Sequence, residues 1–206
     1  MKEYPSIETR IRNDIKAFLY PKYDGSCIRA CWTPKRGFYK FGSRTQLISD
    51  TDKPLGEAIS LLNNKYNECL SKAFTDKLPK IESVMCFFEF YGKNSCFGGH
   101  LDEPHELTLF DIAPYKKGLL PPNEYLDLVG NLDVCLPIYE GFIDEDIIKQ
   151  IREGTLEGIT FEGAVAKGKA DNKTKMPIMF KIKTYAWLNK LKEFCGNNHA
   201  LYKKLV

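Results

Sequence analysis

The chain has 206 residues, of which 43% are apolar and 28% charged, values typical of a globular protein and not of a disordered or fibrous one. No apolar run is long enough to cross a bilayer, and the N-terminus lacks the apolar core of a signal peptide, so a cytosolic protein is expected. The seven cysteines include no Cys-x-x-Cys pair, which favours reduced thiols over a zinc site at Cys27 and Cys31.

Positive charge is concentrated at the C-terminal end. The formal net charge is only +3, but residues 166–206 contain ten lysines against two acidic residues, a net charge of +8. Residues 1–165 therefore carry −5. A local basic surface of this kind is a better indication of polyanion binding than the total charge is.

The alternation and clustering of apolar residues predict strands interspersed with helices, without a regular βαβ rhythm. A long amphipathic helix is predicted from Leu55 to Phe74, after Pro54. An α+β domain built on antiparallel sheets fits this order best. The other predicted elements are strands at 26–32 and 38–42 joined by the turn 34–37, strands at 84–91 and 107–112, helices at 125–129 and 144–152 (with Asp144 as N-cap), strands at 163–167 and 178–182 joined by a lysine-rich hairpin loop through 171–172, and a helix at 185–194.

Six short motifs follow one another along the chain. They are Lys22-Tyr23-Asp24-Gly25, Ser43-Arg44-Thr45, Phe88-Glu89-Phe90-Tyr91-Gly92, Phe110-Asp111-Ile112, Glu162-Gly163-Ala164-Val165 and Lys181-Ile182-Lys183. This ordered set resembles the nucleotidyltransferase motifs of covalent ligases and mRNA capping enzymes. The segment Tyr4-Pro5-Ser6-Ile7-Glu8 is also similar to the start of ATP-dependent RNA ligases of the phage double-strand nick-sealing type, so the resemblance covers residues 4–184.

The resemblance implies a nucleotidyltransferase (ligase adenylation-domain, ATP-grasp-like) fold over residues 1–184, with 185–206 as a short basic helical extension and no separate C-terminal domain. It further implies a three-step reaction. A lysine attacks ATP to form lysyl-AMP, AMP passes to a 5′-phosphate end, and a 3′-hydroxyl then displaces it. The expected cofactors are ATP, with AMP carried on Lys22, and Mg²⁺ or Mn²⁺. The expected partner is nucleic acid, most readily RNA, and the protein is expected to be a monomer that does not engage membranes.

The resemblance also assigns roles to individual residues. The catalytic residues would be Lys22, Lys181, Lys183 and Glu162. The nucleotide would be bound by Asp24, Gly25, Arg44, Glu89 and Phe110, with Phe110 stacked on adenine. The metal would be held by Glu162, Glu89 and Asp24, and nucleic acid would be contacted by Arg44, Lys167, Lys169, Lys173 and Lys175.

These residue types suit the chemistry. An amine nucleophile must lose its proton, and cationic neighbours or a bound metal favour the neutral form. Lys181 and Lys183 are two residues apart in a predicted strand, so they share a face and can both reach the α-phosphate. Mg²⁺ takes oxygen ligands and usually keeps several waters, so one or two carboxylates suffice.

Each motif also has a simple structural explanation. Asp24-Gly25 is a common turn, Arg44 could pair with a surface acid, and Glu89 could form an ion pair within its strand. Phe110 could be a core residue. The lysines of the predicted sheet and hairpin could be solvated, and charge runs usually are.

The chain departs from the family pattern at two places. Pro21 precedes the lysine where many RNA ligases have a glutamate, which leaves any adenine selectivity from that position in doubt. Glu157-Gly158 competes with Glu162-Gly163 as the fourth motif, and the strand that follows Glu162 favours the latter.

The favoured function is therefore an RNA ligase with little more than the nucleotidyltransferase domain. A minimal ATP-dependent DNA ligase shares the core motifs, and an mRNA capping guanylyltransferase would use the same lysine with GTP. The alternative from another class is a non-catalytic nucleotide- or RNA-binding module. We consider it the weaker hypothesis because Lys22, Glu89, Glu162, Lys181 and Lys183 are all intact.

Overall fold

The computed structural model describes residues 1–13, 15–93, 95, 103–170 and 177–206, and of residues 170 and 204 only the backbone. In this part of the chain, nine strands form two antiparallel sheets accompanied by six helices, which confirms the predicted α+β class. In chain order the elements are β1 (Lys16–Lys22), β2 (Ser26–Thr33), β3 (Gly37–Gly42), β4 (Leu47–Ile48), α1 (Glu57–Lys65), α2 (Asn67–Lys77), β5 (Val84–Tyr91), β6 (Glu106–Pro114), α3 (Pro122–Val129), β7 (Tyr139–Phe142), α4 (Glu145–Glu153), β8 (Gly163–Ala170), β9 (Pro177–Lys183), α5 (Tyr185–Cys195) and α6 (His199–Leu205).

The chain divides into two compact units. Counting the described residues only, the first unit contains 1–5, 25–93 and 103–136, and the second contains 6–13, 15–24, residue 95, 137–170 and 177–206. Each unit has its own sheet. None of the helices in the described part is long and apolar enough to span a membrane.

The sheet of the first unit has the order β4-β3-β2-β5-β6. Its interior strand β5, between β2 and β6, is almost continuously apolar and aromatic, and its side chains from Val84 to Phe88 are buried. A strand with this composition needs cover on both faces. The helix pair α1 and α2 supplies part of that cover through the fully buried Leu62, Leu70 and Phe74.

The prediction of one continuous helix from Leu55 to Phe74 is wrong, because the helix is interrupted at Tyr66. Tyr66 has φ −120° and is only 1% exposed. Its hydroxyl lies 2.8 Å from the carbonyl oxygen of Asp133 and 3.1 Å from that of Leu107, and its ring packs on Phe88. A buried tyrosine needs a partner for its hydroxyl, and these two carbonyl groups supply it.

The sheet of the second unit has the order β7-β1-β8-β9. One face is apolar and packs against Ile151 of α4, whose N-terminus is capped by Asp144 as predicted. The capping carboxylate accepts a hydrogen bond of 2.9 Å from the backbone NH of Ile147. The buried side chains of this face are Ala17, Leu19, Ala164, Ala166, Phe180 and Ile182.

The predicted strands 26–32, 38–42, 84–91, 107–112, 163–167 and 178–182 are confirmed, with small changes at their ends. Strands β1, β4 and β7 and helix α6 were not predicted. The omission of β1 is the important one, because Lys22 is its last residue and does not simply precede a strand. The predicted hairpin loop through 171–172 lies outside the described residues.

Candidate active site

Three neighbouring strands of the second unit bring Lys22, Gly163 and Lys183 into one row. Lys22 of β1 pairs with Gly163 of β8, which in turn pairs with Lys183 of β9. Directly paired residues share a sheet face, so both lysines point away from the apolar face that carries Ala164 and Ile182. The two lysines flank a residue that has no side chain.

Glycine is required at position 163. Its φ is +134°, a conformation that L side chains rarely adopt, and a Cβ there would overlap the carbonyl oxygen of Ile182. The close approach of β8 and β9 at this point therefore depends on Gly163. It also leaves room for side chains on either side of it to converge.

The convergence point is Glu162. Its Oε2 lies 2.9 Å from Nζ of Lys22, and its Oε1 lies 2.9 Å from Nζ of Lys183. Only 4% of Glu162 is exposed. A buried carboxylate is costly unless it is paired, and here one carboxylate is paired with two ammonium groups. The sequence proposed Glu162 over Glu157 as the glutamate of the fourth motif, and Glu157 is exposed in the structure.

Lys183 is largely removed from solvent. Burial lowers the pKa of its ammonium group from 10.5 to about 8, an effect opposed by Glu162 and reinforced by the positive charges of Lys22 and Lys181. Its Nζ also lies 3.2 Å from the centroid of the Trp187 ring, a cation–π contact. The ammonium group is thus held by contacts on two sides and is close to losing its proton at mildly alkaline pH.

Two threonines fix the backbone around these groups, and the sequence analysis did not identify either. The Thr160 hydroxyl donates a hydrogen bond to the carbonyl oxygen of Lys22 and lies 3.0 Å from that of Gly163. The Thr184 hydroxyl donates to the carbonyl oxygen of Phe161 at 2.6 Å, while its backbone NH donates to that of Glu162 at 3.1 Å. Neither threonine is part of a recognisable motif, so only the fold reveals their role.

Two of the other predicted lysines, Lys181 and Lys167, lie farther along the same sheet face. Lys181 is in the next row, opposite Val165 and half-buried. Lys167 is one row beyond; it is 5% exposed, and its Nζ lies 4.6 Å from the centroid of the Tyr20 ring. Lys169 is exposed, Asp24 is buried, and the predicted nucleic-acid contacts Lys173 and Lys175 lie outside the described residues.

The first unit carries the remaining predicted nucleotide-binding residues. Glu89 is half-buried in β5, paired with Cys27 and Thr108. Gly25 is needed where it is, because a Cβ there would overlap the carbonyl oxygen of Phe90. Arg44 lies exposed in the turn between β3 and β4.

Phe110 occupies a β-bulge. Phe87 pairs with Asp111 and Phe88 with Leu109, so Phe110 is the extra residue of β6. Bulges turn a side chain out of the regular alternation. Phe110 is only half-buried, and the ring of Tyr4 meets it edge-on at a centroid distance of 5.0 Å. It is therefore not the fully buried core residue that its strand position would suggest.

Tyr4 connects the N-terminal segment to β6. Its hydroxyl donates a hydrogen bond of 2.8 Å to Oδ2 of Asp111, a carboxylate that is only 2% exposed. Burial, followed by the negative charge of Asp111, raises the pKa of Tyr4 well above its usual value. The sequence analysis quoted both residues but did not predict that they interact.

The turn that carries Arg44 is held by a buried arginine that the sequence analysis also missed. Arg29 of β2 is 3% exposed, and its Nε donates a hydrogen bond of 2.6 Å to the carbonyl oxygen of Ser43. Its Nη1 lies 3.3 Å from the carbonyl oxygen of Met1 and 3.2 Å from that of Lys2. One guanidinium group thus fixes both this turn and the start of the chain.

The donor set of the second unit fits a hard divalent cation only in part. No group of three or more acidic, histidine or cysteine side chains that could hold a metal occurs among the described residues. A carboxylate has about four lone-pair sites, so Glu162 can accept both ammonium groups and still offer an oxygen to Mg²⁺. A cation held by a single carboxylate needs phosphate and water oxygens to complete its shell.

The chain was compared with known families, curated proteins and solved structures. Neither a family model nor a curated protein matches it. Among solved structures, an apo mutant of Naegleria gruberi RNA ligase matches with a TM-score of 0.62 and 17% identity, covering 91% of this chain and 59% of that one. A mutant of Naegleria gruberi RNA ligase with ATP and Mn matches with a TM-score of 0.61 and 16% identity, covering 86% of this chain and 52% of that one.

A candidate ATP-dependent DNA ligase of Aquifex aeolicus matches with a TM-score of 0.65 and 19% identity, covering 99% of this chain and 57% of that one. The chain thus spans 52 to 59% of the length of these three proteins. Identities this low establish the fold alone. The resemblance to covalent nucleotidyltransferases is confirmed at that level, and the chain has the fold of the nucleotidyltransferase domain of RNA and DNA ligases.

Proposed function

We propose that this chain is an ATP-dependent RNA ligase that works through a covalent lysyl-AMP intermediate. The proposal rests on one observation: the ammonium groups of Lys22 and Lys183 both contact the buried carboxylate of Glu162. A nucleophile, a cation that can stabilise phosphate charge and a carboxylate that holds both are the groups that nucleotidyl transfer requires. The fold shared with ligases supports the same chemistry.

In the first step, the ammonium group of Lys22 loses one proton to solvent, and its neutral Nζ attacks the α-phosphorus of ATP and releases a second proton to solvent. A nitrogen–phosphorus bond forms, the bond to the β-phosphate oxygen breaks, and pyrophosphate leaves with the electron pair. Glu162 orients the amine of Lys22 before the attack. Lys183 and Lys181 stabilise the negative charge that develops on the phosphoryl oxygens.

In the second step, an oxygen of the 5′-phosphate end attacks the same phosphorus and the nitrogen–phosphorus bond breaks. The nitrogen of Lys22 takes up a proton from solvent and leaves as the free amine. A 3′-hydroxyl then attacks the 5′-phosphorus, loses its proton, and displaces AMP as the new phosphodiester forms. Lys22 is therefore modified only in the first step and regenerated in the second.

Mg²⁺ or Mn²⁺, when bound, would neutralise charge on the nucleotide phosphates. Glu162 is the proposed ligand, because it can offer an oxygen while it pairs with the lysines. Asp24 and Glu89 are proposed as further ligands on the family resemblance, and the buried position of Asp24 at the end of the Lys22 motif is in keeping with that role.

The nucleotide and nucleic-acid contacts are also proposals. The half-buried ring of Phe110 in its bulge supports stacking on adenine, and Glu89, Gly25 and Arg44 would complete nucleotide binding. Arg44 and the lysines of β8 and its loop would contact nucleic acid. Those lysines are Lys167, Lys169, Lys173 and Lys175. Residues 185–206 are proposed to act as a basic helical extension of the catalytic domain, in a monomeric protein.

A DNA ligase is the second candidate, and the similarity to the Aquifex aeolicus protein over 99% of this chain favours considering it. The RNA ligase is preferred because the segment Tyr4-Pro5-Ser6-Ile7-Glu8 resembles the start of RNA ligases of the nick-sealing type. The two candidates share the first step and differ only in the polymer that receives AMP.

The first experiment measures the intact mass of the protein after incubation with ATP and Mg²⁺. A gain of one AMP is expected, and Lys22→Ala should abolish it. Lys149→Ala, which removes an exposed lysine on α4, should behave like the wild type. Absence of the adduct with Mg²⁺ and Mn²⁺ alike would refute the enzyme hypothesis, and transfer of label from GTP instead of ATP would indicate a guanylyltransferase.

The second experiment compares sealing of matched substrates with 3′-ribo and 3′-deoxy ends, both nicked and single-stranded. Faster sealing of the 3′-ribo ends is expected. Faster sealing of 3′-deoxy nicks would assign the chain to the DNA ligases and leave the lysyl-AMP step intact.

A further inference from the structure

The N-terminal segment of the second unit forms the edge of its sheet next to β9. Glu8 makes a parallel bridge with Phe180, and the backbone NH of Lys181 donates a hydrogen bond of 2.9 Å to the carbonyl oxygen of Glu8. Ile11 packs against the apolar core of the unit. The segment is thus attached to the strand that carries Lys181 and Lys183.

Residues 6–13 and Lys181 line an open groove of about 1010 Å³. Its charged residues are Arg10, Arg12, Lys181 and Glu8, and Glu8 is already paired with Arg12 at 3.3 Å. The groove therefore has a surplus of positive charge. Arg10 is exposed in it.

The groove lies beside the candidate active site within the same unit. Lys181 belongs both to the lining of the groove and to the sheet face that carries Lys183, two residues away or roughly 7 Å along the strand. Lys183 and Lys181 on the sheet face and Arg10 in the groove are therefore all cations of the same unit. An extended anion that ends at Lys22 would meet them in turn.

We propose that this groove binds the sugar–phosphate backbone of the nucleic acid whose end reaches Lys22, a proposal that rests on the proposed function. Among the residues that the structure describes, the lining offers arginine, lysine, serine, threonine and asparagine donors and no aromatic ring. Such a surface contacts phosphate and sugar without stacking on bases or reading sequence. The groove is also much larger than a pyrophosphate group needs.

The test measures binding of the full chain to a fluorescent nicked duplex and to a single-stranded RNA by anisotropy at several salt concentrations. Arg10→Glu is expected to weaken binding about tenfold. The slope of the logarithm of the binding constant against the logarithm of the salt concentration should become shallower by about one, the value for one lost phosphate contact. The matched control is Lys149→Glu, the same charge reversal at an exposed site on α4 of the same unit, which should change binding less than about twofold. Arg10→Gln, a milder change, should give a smaller loss in the same direction.

Lysyl-AMP formation distinguishes the alternatives. Arg10→Glu should form the adduct from ATP at the wild-type rate. Slower adduct formation with unchanged nucleic-acid binding would assign the groove to the pyrophosphate half of ATP and overturn the proposal. Equal losses of nucleic-acid affinity in Arg10→Glu and Lys149→Glu would also overturn it. If no adduct forms in the wild type but Arg10→Glu still weakens binding, the enzyme proposal fails and the groove assignment stands.

Discussion

The ammonium nitrogens of Lys22 and Lys183 each lie 2.9 Å from a different oxygen of the same carboxylate, that of Glu162. The two lysines are 161 positions apart in sequence and meet because β1 and β9 are both paired with β8 at Gly163. Each residue of this set depends on the others for its position or its charge balance, and substitutions should therefore have sharply different effects within and outside it.

Glu162→Gln should reduce the rate of lysyl-AMP formation at least about a hundredfold, because the amide no longer orients the amines of Lys22 and Lys183 through two charged contacts and no longer offers a carboxylate oxygen to the metal. The measurement is the rate of AMP incorporation from ATP at saturating Mg²⁺. Glu157→Gln is the matched control, since Glu157 is the exposed rival in the sequence. A larger loss in Glu157→Gln would show that the wrong glutamate has been assigned.

Gly163→Ala should lower the free energy of unfolding by about 2–3 kcal/mol, because the added Cβ overlaps the Ile182 carbonyl and the backbone has φ +134°. Gly154→Ala is the control. Gly154 also has a positive φ, +72°, but a Cβ there would meet nothing within 4 Å, so its cost should be only about 1 kcal/mol. Chemical denaturation of the wild type and both variants measures the loss in free energy of unfolding. Equal losses in the two variants would contradict the tight packing at position 163.

Lys183 should make the stability of the protein depend on pH in the alkaline range. Burial lowers its pKa from 10.5 to about 8, so between these values the unfolded chain binds more protons than the folded one. Stability rises with pH wherever the unfolded state binds more protons. The unfavourable contribution of Lys183 is therefore complete below pH 8 and declines as the pH approaches 10.5.

The wild type and Lys183→Met should be compared by denaturation from pH 6 to 10.5. As the pH rises above 8, the free energy of unfolding of the wild type should increase by up to about 3 kcal/mol relative to that of the variant. Below pH 8 the difference between the two should not change with pH. If the free energies of unfolding of the wild type and the variant differ by the same amount at every pH, burial does not lower the pKa of Lys183.

Tyr66→Phe should lower the free energy of unfolding by about 1–2 kcal/mol, because it leaves the carbonyl oxygens of Leu107 and Asp133 without this hydroxyl donor. Tyr115→Phe removes a hydroxyl from a side chain that is 45% exposed and should be close to neutral. Equal stability of the two variants would mean that the interruption between α1 and α2 does not depend on the Tyr66 hydroxyl.

The parts of the fold that could be predicted are those with local signals. Strand β5 is recognisable from its continuous apolar run, and the start of α4 from a capping carboxylate that does bind its NH group. The meeting of Lys22, Glu162 and Lys183 was also predictable, because the order of the motifs resembled a known family. A short apolar run such as that of β1, by contrast, acquires its structure from partners β7 and β8 far away in sequence.

The features that were missed depend on tertiary contacts. The interruption at Tyr66 requires two carbonyl groups that are 41 and 67 positions distant. Arg29 gave no sequence signal, since a lone arginine in an apolar strand does not reveal which carbonyls it will meet. The bulge at Phe110 comes from the register between β5 and β6, which no periodicity within β6 encodes.

One anion shared by two cations leaves the trio of Lys22, Glu162 and Lys183 with a surplus of one positive charge. The resting trio is thus not electrically neutral and, in that condition, favours the arrival of a phosphate group. Attachment of AMP would convert the amine of Lys22 into an uncharged phosphoramidate nitrogen and would add one negative charge on the AMP phosphate. Lys183, which shares Glu162 with Lys22 before the reaction, would then be the cation of this trio that faces both the carboxylate and the phosphate.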